Sequence, residues 1–271
     1  MSGINQAFAR LREEGRGGLI PFITAGDPDL EATSALLIEL AQAGASIIEL
    51  GVPFSDPMAD GPVIQRASER ALRRGFGIRE ILDVAASARQ QIKDVPIVLF
   101  SYFNPLLQYG LERLAVEAAE AGIAGVLVTD LAPEEAEEFS ELLRARDLDM
   151  IFLVAPTSTD VRLRLVAKRA SGFIYAVSRA GVTGARAEVS SQAEKLVGRV
   201  RRFSDLPIAV GFGISSAQQV AETWRYADAA VVGSAIVAEI ERLDGSTDLP
   251  ERIGAFTRNL ISGNTEAAQD V

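Results

Sequence analysis

The sequence predicts an α/β protein built as a single (β/α)8 barrel over residues 1–271, with an extra N-terminal helix and helical insertions after strands 2 and 8. Three observations carry that expectation. Eight short apolar runs rich in β-branched residues recur along the chain, and near-continuous runs of this kind belong to parallel strands covered on both faces. Stretches with helical spacing lie between them, the alternation that builds a parallel sheet. At 271 residues, 48% of them hydrophobic, the chain has the length and the apolar content of one TIM barrel.

In chain order, Ile4, Ala7, Phe8 and Leu11 form one helical face, suited to capping the bottom of the fold. The first strand is Leu19 to Thr24, closed by Ala25-Gly26-Asp27-Pro28 and followed by a helix from Leu30 to Ala43, for which Asp27 is read as the cap. The other strands are Ser46 to Leu50, Pro96 to Tyr102, Gly125 to Thr129, Met150 to Val154, Phe173 to Val177, Pro207 to Val210 and Ala229 to Val232. Helices are expected at Val63 to Arg73, Ile78 to Ile92, Leu111 to Ala121, Pro133 to Arg146, Val161 to Ala170, Ser190 to Phe203 and Ala217 to Tyr226. The acidic run Glu134, Glu135, Glu137 and Glu138 reads as a solvated helix start, not a metal site. The tail from Gly263 to Val271 is polar enough to fray.

Composition narrows the function. A net charge of −10 argues against nucleic acid and against a polybasic membrane contact. Without Cys or His, the chain has no disulfide, thiolate or imidazole, so proton transfer near neutral pH falls to carboxylates, Tyr, Lys or water. No long apolar segment opens the chain, and a cytoplasmic location is the default.

The stretch from Ile47 to Gln65 organises the rest. Its apolar run carries Glu49 near the end of a strand, and its loop, punctuated by Pro and Gly, carries Asp56 and Asp60 before Pro62 opens a helix. A carboxylate on rigid scaffold facing one on a loop suits proton traffic. Two connections are long: that after strand 2, and Ser178 to Arg186 after strand 6, rich in Gly, small residues and Arg, as a lid over an anion would be. After strand 7 comes Gly211-Phe212-Gly213-Ile214-Ser215, and after strand 8 Gly233-Ser234. In a barrel these last loops commonly hold phosphate on helix N-termini, with Ser215 and Ser234 read as caps and Gly184 as a further contributor. Asp130 at the end of strand 4 is either catalytic or a hydrogen-bonding support, and alternation leaves open which way Tyr175 points.

Glu49-Leu50-Gly51-Val52-Pro53-Phe54-Ser55-Asp56-Pro57 with Ala59-Asp60-Gly61-Pro62 and Gln65 resembles the signature of the tryptophan synthase alpha subunit family. So do Pro21 to Pro28, Tyr102 to Pro105, Asp130-Leu131 with Pro133-Glu134-Glu135, Ser178 to Gly184 and the two Gly motifs, in the family's order along nearly the whole chain. The resemblance implies retro-aldol cleavage of indole-3-glycerol phosphate to indole and glyceraldehyde 3-phosphate. Indole then passes to a beta subunit carrying pyridoxal phosphate, in an alpha-beta-beta-alpha assembly, and the alpha chain needs no cofactor or metal of its own. By the same resemblance Glu49 is the acid/base and Asp60 the partner of the indole N–H. Phe22, Tyr102, Leu127 and Tyr175 are pocket wall; Thr183, Gly184, Gly211, Phe212, Gly213, Gly233 and Ser234 are lid and phosphate cradle. Asp56, Pro57 and Asn104 match the face toward the beta subunit, while Phe100, Phe103 and Thr129 depart from the residues expected there. Two other readings stay open at this point: an isomerase of aminoaldose phosphates on the same scaffold, whose acids would stand on two different strands, and a regulatory subunit with little activity alone.

Overall fold

The structure, a computed structural model, describes residues 2–92, 94–177, 186–211 and 213–263, and of 186–190 only the backbone. The elements are α1 (Gly3–Glu13), β1 (Gly18–Thr24), α2 (Leu30–Gln42), β2 (Ile48–Gly51), α3 (Pro62–Leu72), α4 (Ile78–Arg89), β3 (Ile97–Ser101), α5 (Phe103–Tyr109), α6 (Leu111–Glu120) and β4 (Ile123–Val128). There follow α7 (Glu137–Arg144), β5 (Asp149–Val154), α8 (Asp160–Arg169), β6 (Ile174–Val177), α9 (Arg186–Val200), β7 (Ile208–Gly211), α10 (Ala217–Trp224), β8 (Ala229–Val232), α11 (Ser234–Arg242) and α12 (Leu249–Ser262). The strands close in sequence order into a barrel, each parallel to the next, with β1 also paired to β8. The expected N-terminal helix and the insertions after strands 2 and 8 are present.

Side-chain parity explains the layers. Inward positions on successive strands supply Ile20, Ile47, Val98, Leu127, Ile151, Phe173, Ala209, Ala229 and Val231, which pack with Ile4, Ala7, Phe8 and Leu11 of α1. The amphipathic first helix therefore plugs the bottom of the barrel. Ser2 caps it by accepting from the Asn5 amide at 3.3 Å, and Phe8 meets Phe173 with ring centroids 5.8 Å apart. Burying an aromatic or branched side chain here contributes about 1.5–3 kcal/mol each. Outward strand residues such as Ile23, Leu50, Leu99 and Val126 join the larger cluster under the helices.

Several local expectations are corrected. The first strand's helix is capped by Asp29, whose carboxylate accepts from the Ala32 amide at 2.7 Å, not by Asp27. Asp27 is instead 2% exposed and gripped in two places by Arg70 of α3, at 2.7 and 2.9 Å. Arg70 reaches on to Glu241 of α11 at 2.7 Å, so the loop after β1, helix α3 and helix α11 share one charged junction. Helix α7 starts at Glu137, after a turn in which the Glu135 amide donates to Ala132, and α9 starts at Arg186, earlier than Ser190. Helix α5 is an element the sequence reading omitted. Pro105 lies in its first turn, where a missing N–H costs nothing, and Gly110, with φ 97°, ends it.

Candidate functional site

Glu49 stands on β2 two residues above the inward Ile47, between Phe22 of β1 and Val98 of β3 in the ladder. It is 1% exposed, and its Oε1 has no hydrogen-bond partner among the described residues. Removal from water without a counter-charge disfavours the ionised form and pushes its pKa up to about 8. At neutral pH Glu49 is mostly a protonated acid.

Asp60 sits in the loop between β2 and α3. The Gln65 side chain donates to its backbone carbonyl at 2.9 Å, and Pro62, in the first helical position, starts α3 directly beyond. Its carboxylate takes a hydrogen bond at 3.1 Å from the Tyr102 hydroxyl, which itself accepts the Ala59 amide at 3.0 Å. Burial raises the Asp60 pKa to about 6 against the lowering effect of Tyr102. The two acids are thus set apart by environment, Glu49 protonated and Asp60 mostly ionised at pH 7. Asp60 lines a narrow pocket with Phe22, Thr24, Ile64, Ser68, Phe100, Ser101 and Tyr102. Phe22 and Phe100 meet edge to face across it, 5.2 Å between centroids.

Tyr175 points into the barrel, which resolves the question the four-residue strand left open. Its hydroxyl faces Gly211 so closely that a Cβ there would stand 2.0 Å away. Burial, then the charges of Glu49 and of Asp60, raise its pKa, so both acids act on this one phenol. Leu127 is fully buried in the same interior cluster. Asp130 accepts the Phe103 amide at 2.7 Å at the start of α5. That is the supporting role of the two considered.

At the far side of the rim, β7 and β8 pair Gly211 with Val231, and Gly213 and Gly233 follow two residues beyond each. Gly213 has φ 72°, a conformation that favours glycine. Gly233 lies against Phe22, its Cβ position 3.5 Å from the Phe22 Cβ, and Ser234 begins α11. The expected Ser caps are corrected: Ser216 caps α10 by accepting from the Gln219 amide, and α11 has Gly233 at its cap with Ser234 one residue inside. The Ser215 amide and hydroxyl both go to the Gln219 side chain. Thr183, Gly184 and Phe212 lie outside the described residues. Thr24, Ile64, Ser68 and Ser101 were missed by the sequence reading, although Thr24 follows Phe22 at the same parity and was open to counting. Glu134 and Glu137 form ion pairs with Arg162 and Arg169 at the surface, as a solvated helix start does, and no group of three or more acidic residues placed to hold a metal occurs among the described residues.

The profile of the tryptophan synthase alpha chain family matches residues 8–263. The chain belongs to that family. It is 49% identical over 263 residues to the tryptophan synthase alpha chain of Geotalea uraniireducens, covering 97% of this chain and 98% of the relative, and 52% identical over 248 residues to that of Dechloromonas aromatica, covering 91% and 92%. Among solved structures, the tryptophan synthase alpha chain from Legionella pneumophila superposes with a TM-score of 0.88 at 34% identity, covering 96% of each chain. Tryptophan synthase from M. tuberculosis in its aminoacrylate-bound form gives 0.86 at 38% identity, covering 97% of this chain and 99% of that one. No helix among the described residues is long and apolar enough to cross a membrane.

Proposed function

We propose that Glu49 and Asp60 carry the reaction of this alpha chain. As a member of its family the chain is a carbon–carbon lyase, cleaving indole-3-glycerol phosphate to indole and glyceraldehyde 3-phosphate, and indole passes to a beta subunit for tryptophan synthesis. The observation that supports the residue assignment is the split between the two acids, one protonated and one ionised in the same end of the barrel.

Glu49, protonated, delivers its proton to indole C3. That carbon becomes tetrahedral, the ring loses its aromaticity and positive charge gathers on the nitrogen. Ionised Asp60, aimed by Tyr102, accepts the ring N–H and stabilises that charge in a pocket poor in water. Glu49, now a carboxylate, takes the proton of the glycerol C3′ hydroxyl as that oxygen forms the aldehyde. The electron pair of the breaking C–C bond returns to the ring, and indole leaves with Glu49 protonated again. Phe22, Tyr102, Leu127 and Tyr175 wall the ring. Gly211, Gly213, Gly233 and Ser234, with Thr183, Gly184 and Phe212, hold the phosphate, its charge met by the free first-turn amides of α11.

Every step uses groups of this chain, and pyridoxal phosphate is assigned to the beta partner. Exposed Asp56 and Asn104 with half-buried Pro57 form part of the face for that partner, and exposed Met58 and Leu107 beside them add apolar contact. Phe54, whose ring lies 5.2 Å from that of Tyr102, connects this face to the grip on Asp60. The assembly is alpha-beta-beta-alpha and its place is the cytoplasm. The test is indole release by Glu49→Gln and Asp60→Asn with the beta subunit present: both fall by at least about a hundredfold, as loss of a general acid or of charge stabilisation requires. Near-parental turnover in either variant removes that residue from the mechanism.

A further inference from the structure

Thr24 occupies the inward position of β1 above Phe22, opposite Gly51 in the ladder, and is 3% exposed. Its Oγ1 is fully buried without a hydrogen-bond partner among the described residues. A hydroxyl stripped of water and left unpaired destabilises the fold, and Val would fill the same space in a strand without that cost. The side chain lines the Asp60 pocket. Two other hydroxyls there are engaged: Ser101 donates to the Tyr102 carbonyl at 2.8 Å, and Tyr102 donates to Asp60 Oδ2. Among the described residues Asp60 receives one side-chain donor, and each further donor to a carboxylate favours its charged form.

We propose that Thr24 is a positioning residue for the lyase reaction: its hydroxyl donates to the second carboxylate oxygen of Asp60 once substrate fills the pocket, keeping Asp60 ionised and aimed at the ring nitrogen. The inference rests on the role proposed for Asp60. The titratable groups facing Asp60 are Tyr102 across the pocket and Tyr175 from β6, with Glu49 on β2 acting on the same phenol. Because the contact forms only in the complex, it separates kcat, which reports groups in the bound state, from kcat/KM, which reports the free enzyme.

The experiment compares Thr24→Val, Thr24→Ser and Asp60→Asn, each with the beta subunit, using indole-3-glycerol phosphate across pH 5–9. In Thr24→Val, kcat falls about tenfold or more, the loss of one hydrogen bond to a charged group. The low-pH limb of kcat moves to higher pH while that of kcat/KM stays, and the ligand-free chain melts no lower than the parent. Thr24→Ser restores kcat. Parental kcat in Thr24→Val, or a loss matched by a lower melting temperature and unmoved limbs, overturns the proposal. If Asp60→Asn is inactive and Thr24→Val is normal, Thr24 alone is refuted; if Asp60→Asn is active, the reading of Asp60 falls first.

Discussion

The Tyr102 hydroxyl bridges the loop that carries Asp60, donating to Asp60 Oδ2 at 3.1 Å and accepting the Ala59 amide at 3.0 Å. One phenol at the end of β3 thereby fixes a carboxylate 42 residues earlier in sequence. Tyr102→Phe removes both bonds, so the Ala59 amide loses its protein partner and Asp60 loses the contact that lowers its pKa. Stability falls by about 1–3 kcal/mol in urea unfolding. Asp60 then ionises above about 6, so the low-pH limb of kcat/KM moves upward. An unshifted limb would separate Tyr102 from the charge on Asp60.

Gly211 and Tyr175 cannot both carry bulk. A methyl group on Gly211 would lie 2.0 Å from the Tyr175 hydroxyl oxygen and 2.6 Å from Cζ. Gly211→Ala therefore displaces the phenol from the site, costs about 1–3 kcal/mol of stability and reduces turnover. Adding Tyr175→Leu recovers part of that stability, with a favourable coupling of about 0.5–3 kcal/mol in a double-mutant cycle. Additive effects would show that the ring does not press on Gly211.

Glu49→Gln separates activity from stability. In the unfolded chain Glu49 ionises near its usual 4.5, whereas in the fold burial holds the proton until about 8. Between those values the folded state binds more protons, so the contribution of Glu49 to stability falls as pH rises. Gln carries no such dependence. Glu49→Gln is thus inactive yet gains stability over the parent from pH 5 to pH 8, by about 4 kcal/mol at the upper end. Unfolding midpoints of the two chains that keep a constant separation across that range would contradict the raised pKa.

Much of this was legible in the sequence, for reasons that can be named. Parallel barrel strands are buried on both faces, so each reads as an unbroken apolar run, and all eight lie where expected. The buried place of Glu49 on β2 was legible because it stands near a strand's C-terminal end, and its role there is the one proposed above. Helix α5 was not, since Asn104-Pro105 reads as a break although Pro is tolerated in a first turn. The caps slipped by one or two residues because Asp27 and Asp29, and Ser215 and Ser216, are chemically equal as caps. What distinguishes Asp27 is Arg70, 43 residues away, and no local pattern announces such a partner. The inward turn of Tyr175 came from packing against Gly211, which a four-residue strand does not encode.

The central claim is that burial alone keeps Glu49 a proton donor while Asp60 is ionised. The pH dependence of kcat/KM for indole-3-glycerol phosphate cleavage measures it most directly. The account predicts a bell that rises as Asp60 loses its proton near about 6 and falls as Glu49 loses its own near about 8, with the rising limb absent from the residual activity of Asp60→Asn. A profile that is flat from pH 5 to pH 9, or one whose rising limb survives unchanged in Asp60→Asn, would contradict it.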